Sequence, residues 1–379
     1  MKIVIAPDKF KGSLTALEAA DAIAEGVRRV IPAAEIDLCP LADGGEGTVA
    51  ALVAATGGSL QTHRVTGPLP DQKLDATFGM LGDRQTAVIE MAAASGLALL
   101  APDERDPFCT TTFGTGELLM AASLLGVRRI ILGIGGSATV DGGIGCAQAC
   151  GLPVLLDGGE PVSPTEPLTG ADLDRVVLIK HGRGSPIERL EMIVACDVTN
   201  PLYGPHGAAQ TYGPQKGASP SQVAQLDYWL QRLAERTGKT AEAMTPGAGA
   251  AGGLGFAMLA FFGARLCRGI DIVIEATQFR RRLTGADLCI TGEGRLDASS
   301  LHGKAPLGVA RLCCEMGIPC VALVGSIGPG AERSLAGHFA HRHCISDGSI
   351  SSEQSMRDAR PLLAATAERM MLHSTAGNG

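Results

Sequence analysis

Aromatic side chains are scarce in this chain of 379 residues, where Phe, Trp and Tyr together make up 3% and Trp occurs once. Proteins that bind single-stranded nucleic acid stack bases on aromatic rings, so the composition argues against that class. The formal net charge is -7 and no block of Lys and Arg occurs, which argues against any nucleic-acid partner. Apolar residues make up 45%, and with so few aromatics the core must consist of Ala, Val, Leu and Ile. Such a core is typical of parallel strands buried under helices.

Long apolar runs are also lacking, because no stretch reaches the roughly 18 residues of a membrane-spanning helix. The opening sequence, MKIVIAPDKF, has neither the basic start nor the cleavage site of a signal peptide and is predicted to be a strand. The eleven cysteines are odd in number and mostly lie in apolar segments. That pattern is typical of reduced core residues rather than of disulfides or metal ligands. We therefore expect a cytoplasmic protein without a membrane partner.

Strand-like and helix-like segments alternate along the chain, which predicts an α/β fold, and the length predicts two domains. The first two strands and the last three predict a doubly wound flavodoxin- or Rossmann-like domain of residues 1–60 plus 284–379. Residues 61–283 are predicted to form an inserted mixed α/β domain that carries a glycine-rich loop. This domain is expected to begin with antiparallel strands over about 59–91 and to contain a long ordered loop over 198–219.

Glycine is abundant, and it is concentrated after a predicted strand in the segment IILGIGGSATVDGGIGCAQACG, residues 130–151. So many glycines indicate a close approach of the backbone to something else. One interpretation is that they pack two helices together. Another is that Gly133–Ala138 is a dinucleotide-binding fingerprint, with Asp157 near the position that binds a ribose. Gly142 and Gly143 disfavour the helix that this fingerprint requires.

In a third interpretation the helix begins at Asp141, and Gly133–Thr139 forms an open loop ahead of it. Backbone N–H groups and two hydroxyls in such a loop make a nest that binds an anion. The chain contains neither a Walker A motif nor the H-R-D signature of protein kinases, so neither familiar class of nucleotide-binding protein applies.

Acidic, basic and hydroxyl side chains follow four other predicted strands, in APDKFKGSLTA, LADGGEGT, ACDVTNP and ITGEGRLDASSLHGK. Each stretch alone is explained by helix caps, turns and solvated lysines. Their recurrence at the carboxyl ends of strands favours a ligand site, because open α/β sheets bind ligands at that edge. Carboxylates for a metal, together with cations and N–H groups for phosphates, are what Mg-ATP chemistry requires.

Six motifs in one order together resemble the bacterial glycerate kinase family, which acts in galactarate, glucarate and glyoxylate breakdown; these are MKIVIAPDKFKGSLTA, LADGGEGT, IGGSATVDGG, CDVTNPLYGPHGA, YGPQKGA and TGEGRLDASSLHGK. The resemblance implies a two-domain α/β kinase with one domain inserted in the other. It also implies transfer of the ATP γ-phosphate, with Mg²⁺, to D-glycerate, giving 2-phospho-D-glycerate or, as the alternative, 3-phospho-D-glycerate. One departure is Ala298-Ser299-Ser300, which replaces a more polar stretch of the relatives.

With the resemblance in place, the strand-end residues receive expected roles. The candidate catalytic residues are Asp197, Asp297 and Lys304. The candidate ATP-binding residues are Gly135, Gly136, Ser137, Thr139, Asp141 and Gly142, and Asp141 is also expected to reach magnesium. The candidate substrate-binding residues are Lys11, Ser13, Asn200 and Arg295, and the candidate magnesium ligands are Asp43, Glu46 and Glu293.

Asp197 is the expected general base, because it follows the apolar run MIVAC and precedes a Pro-containing turn. Lys11, Lys304 and Arg295 are candidates for holding either the glycerate carboxylate or the transferred phosphoryl group, and the sequence does not choose. Two other classes stay open, an NAD-dependent dehydrogenase and a sugar-acid binding protein without catalysis. The sequence also leaves the oligomeric state open, including a homo-oligomer.

Overall fold

The computed structural model describes residues 1–42, 44–45, 47–159, 162–180, 185–297, 305–328, 335, 337–346 and 348–376. The chain forms two compact units. The terminal unit comprises Met1–Asp43, Ala50–Gly57 and Arg268–Gly379, and the central unit comprises Gly44–Val49 and Gly58–Cys267. Each helix in the described part of the chain is either too short or too polar to span a membrane.

The described strands, numbered in chain order, are β1 Lys2–Pro7, β2 Glu35–Leu38, β3 Ser59–Thr66, β4 Lys73–Met80, β5 Thr86–Glu90, β6 Arg129–Gly133, β7 Val154–Leu156, β8 Val176–Ile179, β9 Glu191–Ala195, β10 Arg265–Cys267, β11 Leu288–Leu296, β12 Cys320–Ile327 and β13 His341–Cys344. The described α-helices are α1 Ala16–Val30, α2 Thr48–Thr56, α3 Ala92–Ser95, α4 Phe113–Leu124, α5 Ile144–Ala149, α6 Ala208–Tyr212, α7 Pro220–Arg236, α8 Thr240–Ala243, α9 Leu254–Phe262, α10 Gly269–Ala276, α11 Phe279–Leu283, α12 Ala305–Met316, α13 Ser352–Arg357 and α14 Ala359–Ala376. The predicted α/β class is confirmed.

The terminal unit is built on a five-stranded parallel sheet in the order β13-β12-β11-β1-β2. Strands from both ends of the chain therefore share one sheet, as the sequence predicts. Its inner strands are apolar, and Ile3, Ile5 and Ile290 are fully buried. Helix α1 begins at a capping box in which the Thr15 hydroxyl accepts from the Glu18 N–H at 3.2 Å. The Glu18 carboxylate accepts in return from the Thr15 N–H at 2.9 Å.

The central unit contains a six-stranded mixed sheet in the order β10-β9-β6-β5-β4-β3 and a two-stranded sheet of β7 and β8. Strands β3, β4 and β5 are antiparallel, as predicted for this stretch, whereas β5, β6, β9 and β10 run parallel. The register pairs Glu90 with Gly133 and Gly133 with Ala195, so β5, β6 and β9 end side by side. The loops that follow these strands consequently lie at one edge of the sheet.

Two predictions about this unit are wrong in detail. The stretch 198–219 is not entirely a loop, because it contains α6 and a 3₁₀ turn at Pro214–Lys216. The helix after the glycine segment begins at Ile144 rather than at Asp141. Gly142 and Gly143 have φ values of +62° and +75°, which a right-handed helix cannot include.

All eleven cysteines are free thiols, and six of them are buried: Cys39, Cys146, Cys150, Cys289, Cys313 and Cys320. The prediction that cysteines serve as core residues is confirmed for these six, whereas Cys109, Cys314 and Cys344 are exposed. The sulfur atoms of Cys289, Cys313 and Cys320 lie within 4.8 Å of one another. Chain spacing did not indicate this grouping, because the three residues belong to β11, α12 and β12.

Candidate active site

The loop that follows β6 carries a short run of free backbone donors. Gly135 and Gly136 are exposed, and Gly136 has a φ of +72° that favours glycine. The N–H groups of Gly135, Gly136 and Ser137 donate to no acceptor among the described residues. Successive free N–H groups in a turn of this kind form an anion-binding nest.

Other groups of the same loop are tied to the segment that follows β5. The Leu97 N–H donates to the Gly136 carbonyl at 2.8 Å, and the Ala138 N–H donates to the Ser95 carbonyl at 2.9 Å. These two bonds flank an isolated bridge between Gly96 and Ser137. They fix the loop without using the N–H groups of residues 135–137, which leaves those donors free for a ligand.

Beneath the loop lies Lys216, whose side chain is 2% exposed. Its Nζ donates to Ser137 Oγ at 2.7 Å and to the Thr139 carbonyl at 2.7 Å. Burial lowers the pKa of Lys216 to about 7, although the nearby Asp141 carboxylate opposes that shift. A primary amine is thus held directly against the two residues that supply the hydroxyls of the loop.

Sequence reasoning missed Lys216. The motif YGPQKGA that contains it contributed to the family resemblance, but a lysine is usually solvated and nothing in the local pattern indicates burial. The turn after it explains its position. Gly217 has a φ of +94°, and a Cβ there would lie 1.9 Å from the Arg105 carbonyl oxygen, so the chain packs tightly at this point.

Asp141 is fully buried, and its carboxylate accepts four hydrogen bonds. The donors are Thr112 N–H at 2.9 Å, Thr112 Oγ1 at 2.7 Å, Gly143 N–H at 3.0 Å and Gly145 N–H at 3.4 Å. Burial raises the pKa of Asp141, and these donors act in the opposite direction. A carboxylate used in this way holds α4 and α5 together, so we no longer assign it to magnesium.

The later glycines of the segment serve packing. A Cβ at Gly142 would lie 2.8 Å from Leu233 Cδ2, and one at Gly143 would lie 2.4 Å from Ala257 Cβ. The Gly142 N–H already donates to the Gly252 carbonyl at 3.0 Å. The glycine segment therefore has two roles. Residues 135–137 form an open nest, and the glycines from residue 142 onward allow close packing. We drop Gly142 from the nucleotide-binding set.

Asp197 lies just beyond β9, at the same sheet edge as the loop after β6. Asp197 is exposed, and the backbone N–H of the preceding Cys196 donates to the Cys267 carbonyl at 2.9 Å. Asn200, a predicted substrate-binding residue, is hydrogen-bonded within its own segment. Its Nδ2 donates to the His206 carbonyl at 2.8 Å and to Thr211 Oγ1 at 3.2 Å, and its Oδ1 accepts from Tyr212 Oη at 2.7 Å. These bonds hold the 200–212 segment together and occupy the amide that was expected to bind substrate.

The terminal unit has its own group of charged residues at the carboxyl ends of β1 and β11. The register pairs Pro7 with Gly292, so Asp8 and Glu293 follow neighbouring positions, and they are 5% and 6% exposed. Further along β11, Arg295 Nε lies 3.6 Å from Asp297 Oδ2. Asp8 was visible in the sequence as a strand-end carboxylate but received no role.

The other predicted residues of this unit are less informative. Ser13 Oγ donates to the Met356 carbonyl at 2.5 Å, which ties the turn after β1 to α13. Lys11 is exposed in that turn. Asp43, Glu46 and Lys304 lie outside the described residues.

Comparison with known proteins gives the family. A sequence model of the glycerate kinase family matches residues 3–374. The glycerate kinase of Halalkalibacterium halodurans is 45% identical over 378 residues, which cover 98% of each chain. The glycerate 2-kinase of Escherichia coli strain K12 is 46% identical over 331 residues, or 86% of each chain.

A solved structure agrees with this. The crystal structure of a Salmonella typhimurium LT2 protein provisionally assigned as glycerate kinase 2 aligns with a TM-score of 0.88 at 42% identity. The alignment covers 100% of this chain and 99% of that one. Since the family model and the relatives both extend over most of its length, the chain belongs to the glycerate kinase family.

Proposed function

We propose that this protein is a glycerate kinase that transfers the γ-phosphoryl group of ATP to D-glycerate in the presence of Mg²⁺. The observation that carries the proposal is the run of free N–H groups at residues 135–137 above the buried Lys216, in a member of this family. Free backbone donors and a cation are the groups that phosphoryl transfer needs around the moving charge. The name of the Escherichia coli relative favours 2-phospho-D-glycerate as the product.

In this proposal the phosphates of ATP bind at Gly135, Gly136 and Ser137, with the Thr139 hydroxyl nearby. The dinucleotide alternative is less favourable, because its fingerprint requires a helix that begins within the glycines. Helix α5 begins at Ile144, beyond the whole loop. Asp157, the residue expected to bind a ribose in that alternative, lies 3.8 Å from Arg236 in an ion pair.

Asp197 is the proposed general base. The glycerate hydroxyl oxygen attacks the γ-phosphorus, its proton passes to the Asp197 carboxylate, and the bond from that phosphorus to the bridging oxygen of ADP breaks. The strand before Asp197 is buried from Met192 to Ala195 and holds its backbone firmly. A positioned carboxylate of this kind typically contributes about 10²–10⁴-fold to the rate.

Magnesium is a hard cation that prefers oxygen ligands. The nearly buried Glu293 and Asp8 carboxylates at the carboxyl edge of the terminal sheet fit this preference. We propose Glu293 as a ligand, with Asp43 and Glu46 as further ligands and Asp8 added to the candidates. In phosphoryl transfer magnesium neutralises charge on the phosphates of the nucleotide. Arg295, Lys11 and Lys304 remain the proposed cations for the glycerate carboxylate or the transferred phosphoryl group, with Asp297 as the partner of Arg295.

The experiment that tests this function is an ADP-release assay with ATP, Mg²⁺ and D-glycerate, run beside a binding measurement with NADH. We expect ADP release that depends on D-glycerate, and no binding of NADH. Tight NADH binding without ADP release would favour the dehydrogenase. Glycerate binding without ADP release would favour a binding protein.

Removal of the metal should abolish turnover. Because the phosphate charge must be neutralised for transfer, excess EDTA is expected to reduce ADP release at least ~100-fold, and added Mg²⁺ should restore it. Glycerate-dependent ADP release that continues unchanged in EDTA would contradict the role given to the carboxylates.

A further inference from the structure

Lys216 is an unusual residue to bury. A buried amine costs stability unless it is paired with an opposite charge. Among the described residues no carboxylate forms an ion pair with Lys216, and its hydrogen-bond partners are Ser137 Oγ and the Thr139 carbonyl. An apolar side chain of the same length would serve the fold better, so the reason for this lysine is to be sought in the loop above it.

The direction of the hydrogen bonds matters. In its ammonium form Lys216 donates and does not accept, so Ser137 Oγ then accepts from Lys216. The proton of the Ser137 hydroxyl is then free to point elsewhere, and no described group accepts it. Thr139 Oγ1, in a fully buried residue, has no hydrogen-bond partner among the described residues either. The hydroxyl protons of Ser137 and Thr139 therefore have no acceptor among the described residues.

Lys216 also completes the set of bonds that hold the loop. The Gly136 carbonyl accepts from Leu97, the Ala138 N–H donates to Ser95, and the Thr139 carbonyl accepts from Lys216. The donors of residues 135–137 stay free on the side of the exposed glycines.

We propose that Lys216 is the positioning residue of the phosphate-binding loop: it fixes Ser137 and Thr139 from below so that the Ser137 O–H and the N–H groups of residues 135–137 face a phosphate, and its charge balances that phosphate. This inference rests on the proposed function, because it takes the nucleotide phosphates as the ligand of the loop. It adds Lys216 to the proposed site as a residue that affects phosphate binding through the loop.

Charge coupling follows from the surroundings of Lys216. Asp141, which precedes α5, is the titratable group among the described residues whose charge acts on it. With a pKa of about 7, Lys216 is only partly protonated in the free protein at neutral pH. A bound phosphate stabilises the ammonium form, so binding takes up a proton. The affinity for ATP should therefore fall as the pH rises from 7 to 9, at least about fivefold.

The test compares two variants of Lys216. Lys216→Met keeps the length of the side chain but removes its N–H donors and its charge, whereas Lys216→Arg keeps the donors and the charge. Lys239→Met in the same unit is the control for loss of a lysine. We expect Lys216→Met to raise the KM for ATP at least ~10-fold, to change the KM for D-glycerate little and to abolish the pH dependence of ATP affinity. Lys216→Arg should restore part of the affinity, and Lys239→Met should behave like the wild type.

A double-mutant cycle with Ser137→Ala separates positioning from a purely structural role. If Lys216 acts through Ser137, the double variant Ser137→Ala/Lys216→Met should bind ATP about as weakly as Lys216→Met alone. Additive losses, or an unchanged KM for ATP in folded Lys216→Met, would overturn the inference.

The wild type alone supplies a further measurement, should Lys216→Met fail to fold. Calorimetry of a non-hydrolysable ATP analogue at pH 7.5, in buffers of different ionisation enthalpy, should show uptake of a fraction of a proton. No uptake would overturn the inference while leaving the kinase proposal intact. Failure of the wild type to bind the analogue at all would instead remove the proposed function.

Discussion

Replacing Asp197 with Asn is expected to lower kcat at least ~100-fold and to change the affinity for ATP little. The substitution keeps the size of the side chain and its hydrogen-bonding capacity, but it removes the basic oxygen that would take the proton of the glycerate hydroxyl. The backbone should not move, because the buried strand β9 and the hydrogen bond from the Cys196 backbone N–H to the Cys267 carbonyl hold it. Steady-state kinetics at saturating D-glycerate, with ATP binding measured separately, give the two quantities.

Asp103→Asn is the matched control, since Asp103 is an exposed aspartate of the same unit at a 3₁₀ turn, and it should have normal kinetics. A different result for Asp197→Asn would change its role. If the binding of ATP with Mg²⁺ collapses while kcat at saturation is normal, Asp197 is a metal ligand. The base would then have to be Asp297 or Asp43.

Replacing Gly135 with Val should weaken ATP binding at least ~10-fold while leaving the fold intact. A Cβ at Gly135 would have one described neighbour within 4 Å, the Gly45 Cα at 3.8 Å, so the free protein has room for it. Under the proposed function, a phosphate approaches the N–H groups of residues 135–137 through this same space. Gly136 is a poorer probe, because its φ of +72° would strain any other residue. Isothermal titration with an ATP analogue measures the affinity, and thermal unfolding checks the fold.

Gly142→Ala is expected to lower stability and leave ATP binding unchanged, the reverse of Gly135→Val. Its φ of +62° and the 2.8 Å approach to Leu233 Cδ2 should lower the free energy of unfolding by about 1–3 kcal/mol. The folded fraction should bind ATP with normal affinity, because this glycine faces the core. Unchanged ATP binding in Gly135→Val would assign the whole segment to packing instead.

The fold class could be predicted from the sequence because its causes are local. Apolar runs such as Ile3–Ala6 and Ile130–Leu132 are too short for helices and too apolar for surface strands, so they predict buried parallel strands. The antiparallel start of the central unit was also visible in the alternating stretches from residue 59 onward. The start of α5 at Ile144 could not be predicted from the sequence, since it depends on how Gly142 and Gly143 pack against α7 and α9.

The candidate site was predictable only in part. The motifs identify which residues are polar at strand ends, but not which of them are already occupied by the protein. Asp141 and Asn200 have the residue types of ligands, yet their oxygens are bonded to Thr112 and Tyr212. Lys216 contacts residues 79 and 77 positions away in the chain, a relation that no local pattern contains.

The measurement that tests the central claim most directly is phosphorus NMR of a reaction that contains the protein, ATP, Mg²⁺ and D-glycerate. We predict that ADP and one phosphomonoester form in equal amounts, with the proton coupling of a phosphate on the secondary C2 hydroxyl. A phosphate on the primary C3 hydroxyl would keep the kinase and correct its product. Recovery of intact ATP and unmodified D-glycerate from folded protein would contradict the claim that this chain is a glycerate kinase.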